Sequence, residues 1–433
     1  MNKNRSLGFW RTWAMAVGTM IGSGIFMMPA VLAPFGGLGL AAWLISGGAA
    51  MIFALTFAGL ARRVQKPGGC YAYSHEGLGD FGGFLTAWGY WISVWIALAS
   101  LVIAFVSYMS FFIPVLNDNP IYGAGAGLII LWSIIGINLV GMRESGIFQL
   151  TTTILKLLPL VIISLIGLVI IDPITNFIPF NPTGDSMVSA FGAATILTVW
   201  AFMGLEAATI PAEDVVEPGK TIPKALVLGT LTAAVVYFLS TYAVFGIVPK
   251  EQLLSSTSPF ADAAVILVGK WGGVVFGVGA IISIIGSINS NIICGSYTSM
   301  AAGRDELMPH SLSRLNNNNA PQNSIILLGI LATIIMLLNF SKGLVAAYTF
   351  MLLISTLSTL LAYALASVSA LIMEKKNPTL TGSERKRHLA IAFMAFVFST
   401  ILIAAAGPEP VYWGFLLLLV GLPVYVWSIR FKR

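Results

Sequence analysis

Two ionisable side chains sit where the sequence around them is otherwise apolar. Lys156 lies inside Thr151-Thr152-Thr153-Ile154-Leu155-Lys156-Leu157-Leu158-Pro159, and Glu206 follows Gly204-Leu205 within a second apolar run. Charge in hydrocarbon is expensive, so each is a functional candidate by default. An ammonium beside an unwound helix can donate to the freed carbonyls in place of a bound sodium ion, and can load and release a proton. The plainer alternatives are an ion pair or a lysine that covers exposed carbonyls. Glu206 can take up a proton and give up a gate-side hydrogen bond, or be a neutral acid bonded to backbone or to a tyrosine.

Glycine-rich interruptions point the same way. Ile21-Gly22-Ser23-Gly24-Ile25-Phe26 breaks one apolar stretch, and Gly204-Leu205-Glu206-Ala207 breaks another half a molecule later. In lipid a broken helix leaves amides and carbonyls unpaired at several kcal/mol each, so it persists only where they line a cavity or bind something. Glycine in membrane helices is often only a close-packing residue. Here Ser23, which favours turns, and the recurrence of the break favour a binding site, and paired breaks point to a transporter. Free amides at the start of a resumed half-helix attract a carboxylate. Carbonyls at the end of the preceding one attract an ammonium, so together they suit a zwitterionic amino acid.

The elements that must carry these residues are membrane helices. Of 433 residues 57% are hydrophobic and 9% charged, against roughly a quarter charged in a soluble domain. Stretches of about 20 apolar residues cross roughly 30 Å of hydrocarbon. Twelve are expected, at 8–33, 37–61, 81–113, 121–142, 146–171, 188–211, 222–247, 269–302, 322–340, 343–373, 389–407 and 410–429. The first contains Arg11 and is too long for the apolar core of a cleaved signal peptide. The expected class is therefore an all-α integral membrane protein, a single polytopic domain over residues 1–433 with no soluble domain.

Orientation follows from Lys and Arg, which collect in short cytoplasmic loops. Nineteen of the 23 fall on one side, among them Arg62, Arg63, Lys66, Lys220, Lys224, Arg304 and Arg314. Only Lys250, Lys270 and Lys342 fall on the other, and Lys156 is the last. Both termini are thus expected in the cytoplasm. The formal charge of +6 reads as topology and attraction to the lipid surface, not as nucleic-acid binding. Cys70 and Cys294 are too few for a metal site or disulfide framework. His75, His310 and His388 fall in predicted loops, without metal-ligand spacing. Neither an enzyme, a metal nor a cofactor is expected. A channel would need a continuous polar pore lining, which two mid-membrane charges do not make; a sensor would bind amino acids without flux.

The sequence resembles the amino acid–polyamine–organocation superfamily, and within it the basic amino acid/polyamine antiporters that include arginine/agmatine exchangers. The likeness covers nearly the whole chain. It rests on Met20-Ile21-Gly22-Ser23-Gly24-Ile25-Phe26-Met27-Met28-Pro29-Ala30, Lys66-Pro67-Gly68-Gly69-Cys70-Tyr71-Ala72-Tyr73, Trp200-Ala201-Phe202-Met203-Gly204-Leu205-Glu206, Thr221-Ile222-Pro223-Lys224-Ala225 and Gly303-Arg304-Asp305-Glu306-Leu307-Met308-Pro309. It implies the leucine-transporter-type fold: inverted five-helix repeats at about 8–171 and 188–373 and two appended helices at about 389–429. In that fold spans one, three, six, eight and ten surround the substrate, and the fifth span packs behind the first break.

Carried onto this chain, the resemblance implies a substrate site of Met20, Ile21, Gly22, Ser23, Gly24, Leu98, Trp200, Met203 and Asn291. Amides at Ser23 and Gly24 and the Ser23 hydroxyl would bind carboxylate, and the carbonyls of Met20, Trp200 and Met203 would receive ammonium. Trp200 would close over substrate; the alternative is a packing tryptophan. Tyr90 would bond Glu206, and Pro67 to Tyr73 would serve the inner gate. Gating or proton coupling falls to Tyr90, Lys156, Trp200 and Glu206. Two departures bear on specificity. Leu98, beside Ala97 and Ser100, stands where arginine/agmatine exchangers carry an asparagine, and Asn291 stands where they carry a tryptophan. A buried guanidinium needs acceptors, which leucine lacks and Asn289 or Asn291 could supply. The implied function is exchange of an amino acid for another amino acid or an amine by alternating access, in the inner or plasma membrane. Proton-coupled symport through Lys156 is the alternative, and sodium coupling is disfavoured. Monomer and homodimer both remain open.

Overall fold

The computed structural model describes residues 7–140, 142–170, 179–210, 212, 215–318, 320–339, 344–375 and 381–430, with the backbone alone for Ser23 and for residues 142–148, 170, 339, 344–347 and 350. Of the basic residues used for orientation, Lys3, Arg5, Lys342, Lys376, Lys432 and Arg433 lie outside the described residues, as does the Arg143 side chain.

Helices α1 (Phe9–Met20) and α2 (Ser23–Leu32) form the first span, interrupted at Ile21 and Gly22. Then come α3 (Gly37–Ala61), α4 (Cys70–Ser110), short α5 (Val115–Asp118), α6 (Pro120–Val140) and α7 (Met142–Ile170). The second half opens with α8 (Met187–Trp200) and a 3-10 turn at Leu205–Thr209, followed by α9 (Pro218–Ile247), α10 (Lys250–Ser255), α11 (Pro259–Val268) and α12 (Lys270–Arg304). It ends with α13 (Gln322–Asn339), α14 (Leu344–Lys375), α15 (Gly382–Ala405) and α16 (Pro408–Arg430).

Among the described residues eleven spans are long and apolar enough to cross a membrane. The expected ninth is the shorter α13, whose 18 residues reach about 27 Å at 1.5 Å each, just under the hydrocarbon thickness. The short helices α10 and α11 fall between apolar stretches and were not expected. Another difference is in α4, expected to begin near residue 81. It starts at Cys70 and is interrupted by Gly79, whose φ of +74° only glycine adopts at no cost. The inner piece takes in the expected gate segment.

The core is a set of helix seams built on small residues, as lipid-embedded packing requires. α4 is buried along most of its length against α14 and α12, while α3 packs on α9 and α8. α1 is gripped from two sides: Gly229 of α9 lies so close that an added Cβ would stand 3.1 Å from the Ala16 methyl, and a Cβ on Gly18 would stand 2.3 Å from Thr153 Oγ1 of α7. α16 sits at the edge, against α14 and α4, and leaves Trp413 and Phe415 exposed.

Candidate functional site

The close approach at Gly18 brings α7 against the last turn of α1 and delivers Lys156. Its Nζ donates to the carbonyls of Gly18 at 2.6 Å and Ile21 at 2.7 Å, and the residue is fully buried. Breaking the helix frees these carbonyls, and the ammonium occupies them as a metal cation would. Among the described residues its partners are carbonyl dipoles and not a carboxylate, so the ion-pair reading does not describe it. Ile21, expected among substrate ligands, thus has its carbonyl engaged by Lys156.

Beyond the break the chain turns through Gly22, whose amide donates to Met20 O at 2.9 Å. The amides of Ser23, Gly24 and Ile25 open α2 and have no acceptor within the helix; among the described residues no side chain caps them. The Ser23 side chain lies outside the described residues. Close packing explains both glycines: a Cβ on Gly22 would stand 2.5 Å from Ser287 Oγ, and one on Gly24 3.0 Å from the Trp200 ring and 3.2 Å from Ala201 Cα.

The second break follows Trp200. Amides of Ala201, Phe202 and Met203 bond back three residues in tightened turns, and Tyr237 donates to Ala201 O at 2.9 Å. Gly204 then takes a left-handed conformation, φ +99°, and the 3-10 turn that follows carries Glu206. The Glu206 carboxyl, 2% exposed, accepts from Gly204 N at 3.1 Å and from the Tyr363 hydroxyl of α14, and Tyr90 of α4 lies beside it. A buried carboxyl costs several kcal/mol unless bonded, and these donors meet that cost. Tyr363 is the residue that the sequence reading missed: an uncharged tyrosine in an apolar helix, 157 residues downstream, carries no signal by itself.

Between the two breaks lies a cavity walled by Met20, Gly22 and Gly24, by Trp200, Met203 and Glu206, and by Asn291. The α4 wall is Tyr90, Ser93, Val94, Ala97 and Leu101. Leu98 corrects the expectation: it is fully buried but falls on the flank of that helical stripe, and Ala97 and Leu101 line the cavity instead. Asn291 faces in while its Nδ2 donates to Ser287 O at 2.9 Å. Asn289 does not line it; its Oδ1 accepts from Asn138 at 2.9 Å. Ser355 and Thr359 of α14 complete the wall. Met20 and Trp200 carbonyls each accept one local amide at 2.9 Å, which leaves each a lone pair for a further donor. The ring of Trp200 leans on Tyr348 edge-on, centroids 5.8 Å apart. Free volume is about 50 Å³, room for a few waters at about 10–15 Å³ apiece, so a bound amino acid requires the walls to part. Among the described residues no group of His, Cys, Asp and Glu could hold a metal ion.

The glycine turn at Gly68 and Gly69 packs against the residues that follow Glu206. Gly68 N donates to Ile210 O at 3.2 Å, and a Cβ on Gly69 would stand 2.8 Å from Thr209 Oγ1. Tyr71 bonds Asp305 at the end of α12, and His75 Nε2 lies 3.0 Å from Asp80. The segment expected to serve the inner gate is thereby tied to α12 as well as to the second break.

The chain matches the amino acid permease family over residues 7–424. It is 31% identical to an arginine/ornithine antiporter of Pseudomonas aeruginosa, over 91% of this chain and 85% of that one. A cadaverine/lysine antiporter of Escherichia coli K12 is 30% identical over 78% of this chain and 76% of its own. A putrescine transporter of Haemophilus influenzae is 28% identical over 98% and 97%. A match that runs from before the first break into the last helix fixes the assignment: this multi-pass membrane protein belongs to the amino acid permease family.

Proposed function

We propose that the protein exchanges an amino acid for a related amino acid or amine by alternating access around the cavity between the two breaks. The observation that carries the reading is that cavity: unpaired amides of α2 on one side, carbonyls at the ends of α1 and α8 on the other. In this reading the substrate carboxylate takes the Ser23 and Gly24 amides, and its ammonium takes the carbonyls of Met20, Trp200 and Met203. Trp200 closes the outer side, while movement of the Glu206 turn against Gly68 and Gly69 opens the inner one. Lys156 acts as a fixed cation that holds the first break in shape without sodium. Spans one to five and six to ten form inverted repeats, and both termini face the cytoplasm of a cell whose inner or plasma membrane holds the protein. No chemical step is assigned to it.

The relatives that exchange arginine for ornithine or cadaverine for lysine favour antiport over proton-coupled symport. In this cavity Glu206 is the one charged group among the described lining residues, and Tyr363 and Gly204 already engage it. The far end of a substrate therefore meets Asn291 and the apolar wall of Val94, Ala97 and Leu101. Uptake of labelled amino acids and diamines into liposomes tests the reading. Exchange predicts uptake only into vesicles preloaded with unlabelled substrate; accumulation in empty vesicles driven by a proton gradient contradicts it.

A further inference from the structure

A second cavity, which shares no lining residue with the first, opens between α3, α9, α14 and α15. Its volume is about 630 Å³, within the roughly 300–1,000 Å³ of small-molecule sites. Exposed cations from three separate helices or their ends ring it: Arg62, Lys220, Lys224 and Arg387. Its inner wall is apolar, with Leu55 40% and Leu228 47% exposed beside Ala58, Val227 and Ile391. The carboxylate among the described lining residues, Glu374, is 4% exposed and already spent: it bonds Arg63, and His388 Nδ1 lies 3.3 Å from it. Lys220 also pairs with Glu217, at 3.0 Å, on the exposed rim.

Lys220 has Glu217 beside it and Arg387 has Glu384 in its field, but the rim still gathers four cations around one opening, and an anion there relieves their mutual repulsion. A cationic rim above an exposed apolar wall matches a molecule with an anionic head and a hydrocarbon tail, and basic pockets between membrane helices are suited to such head groups. We propose that this cleft binds a phosphate group, supplied by an anionic phospholipid. Arg62, Lys224 and Arg387 engage the head group, and one acyl chain runs along Leu55, Val227 and Leu228. The buried Glu374 does not oppose it, because Arg63 is already paired with that acid.

Native mass spectrometry of the full chain, equilibrated with phosphatidylglycerol or with phosphatidylcholine, measures the binding directly. The wild type is expected to retain phosphatidylglycerol over phosphatidylcholine. Arg62→Gln/Lys224→Gln/Arg387→Gln is expected to lose affinity for phosphatidylglycerol by about fivefold per charge, or about a hundredfold in all. Arg304→Gln/Arg314→Gln/Arg430→Gln removes the same charge elsewhere and is expected to keep wild-type retention. Inorganic phosphate titrated against the lipid-free protein forms a separate arm: binding there, lost in the first triple variant, supports the phosphate site with a soluble source. Equal retention of phosphatidylglycerol by both triple variants, with no phosphate binding, overturns the proposal. Unchanged substrate exchange of the first variant in phosphatidylcholine vesicles confirms that it is folded.

Discussion

Lys156 does at the first break what a bound cation would do, tying the carbonyls of Gly18 and Ile21 with one ammonium. Charge-assisted bonds of this kind contribute about 1.5–3 kcal/mol each, and an unmet buried carbonyl costs comparably. Lys156→Met, which keeps the volume and removes the donor, is therefore expected to slow exchange about a hundredfold or more, measured in preloaded vesicles; exchange within a few-fold of wild type would refute the role. Glu206 depends on donors. Tyr363→Phe removes one of them and is expected to cost about 1–3 kcal/mol in thermal unfolding, and combining it with Glu206→Gln should cost less than the two single effects summed. Full additivity would mean the two groups do not interact. Both charged residues were legible because charge is conspicuous in an apolar run. Tyr363 was not, since only folding brings α14 against the second break. Leu98 went wrong by helical phase: positions 97 and 101 face the cavity, and a one-residue error turns the side chain about 100° at 3.6 residues per turn.

At the scale of elements, the breaks are held by glycines doing different jobs. Gly79 interrupts α4 with positive φ but has open space where a Cβ would go. Gly204 has positive φ, and its Cβ would stand 2.6 Å from Thr19 Cγ2 of α1. Gly79→Ala should therefore cost only the strain of a backbone conformation that is nearly exclusive to glycine (φ +74°, ψ −167°), about 1–3 kcal/mol, while Gly204→Ala adds a clash to its strain and should cost more and impair exchange by pushing α1 from the second break. Comparable melting temperatures for the two variants would contradict this account of the contact. Both membrane breaks were legible from Gly22, Ser23 and Gly204, because unpaired backbone in lipid demands an explanation. The start of α4 was not, because Cys70 to Leu78 includes Tyr71, Tyr73, His75 and Glu76 and reads as an interfacial loop until Gly79 is seen to separate two helices. The short α10 and α11 lie between apolar stretches, where a search for membrane-length runs does not look.

For the whole molecule, the orientation proposed from Lys and Arg places Arg314 and Lys250 on opposite sides. In a chain with Cys70 and Cys294 replaced by serine, Arg314→Cys should react with an impermeant maleimide only from the cytoplasm and Lys250→Cys only from outside; the reverse pattern inverts the topology. The membrane class was legible at this scale because membrane thickness acts on composition alone, whereas the docking of α7 behind α1 depends on Gly18, an inconspicuous residue until its neighbours are known. The central claim is that both zwitterionic groups of one substrate bridge the two breaks. It is tested most directly by competition: labelled arginine exchange in preloaded vesicles, challenged with unlabelled arginine or with arginine methyl ester, which keeps the ammonium and side chain but loses the carboxylate charge that the α2 amides would hold. The account predicts that the free acid competes and the ester does not. Equal competition by the ester would mean that the amides of Ser23 and Gly24 do not bind the carboxylate.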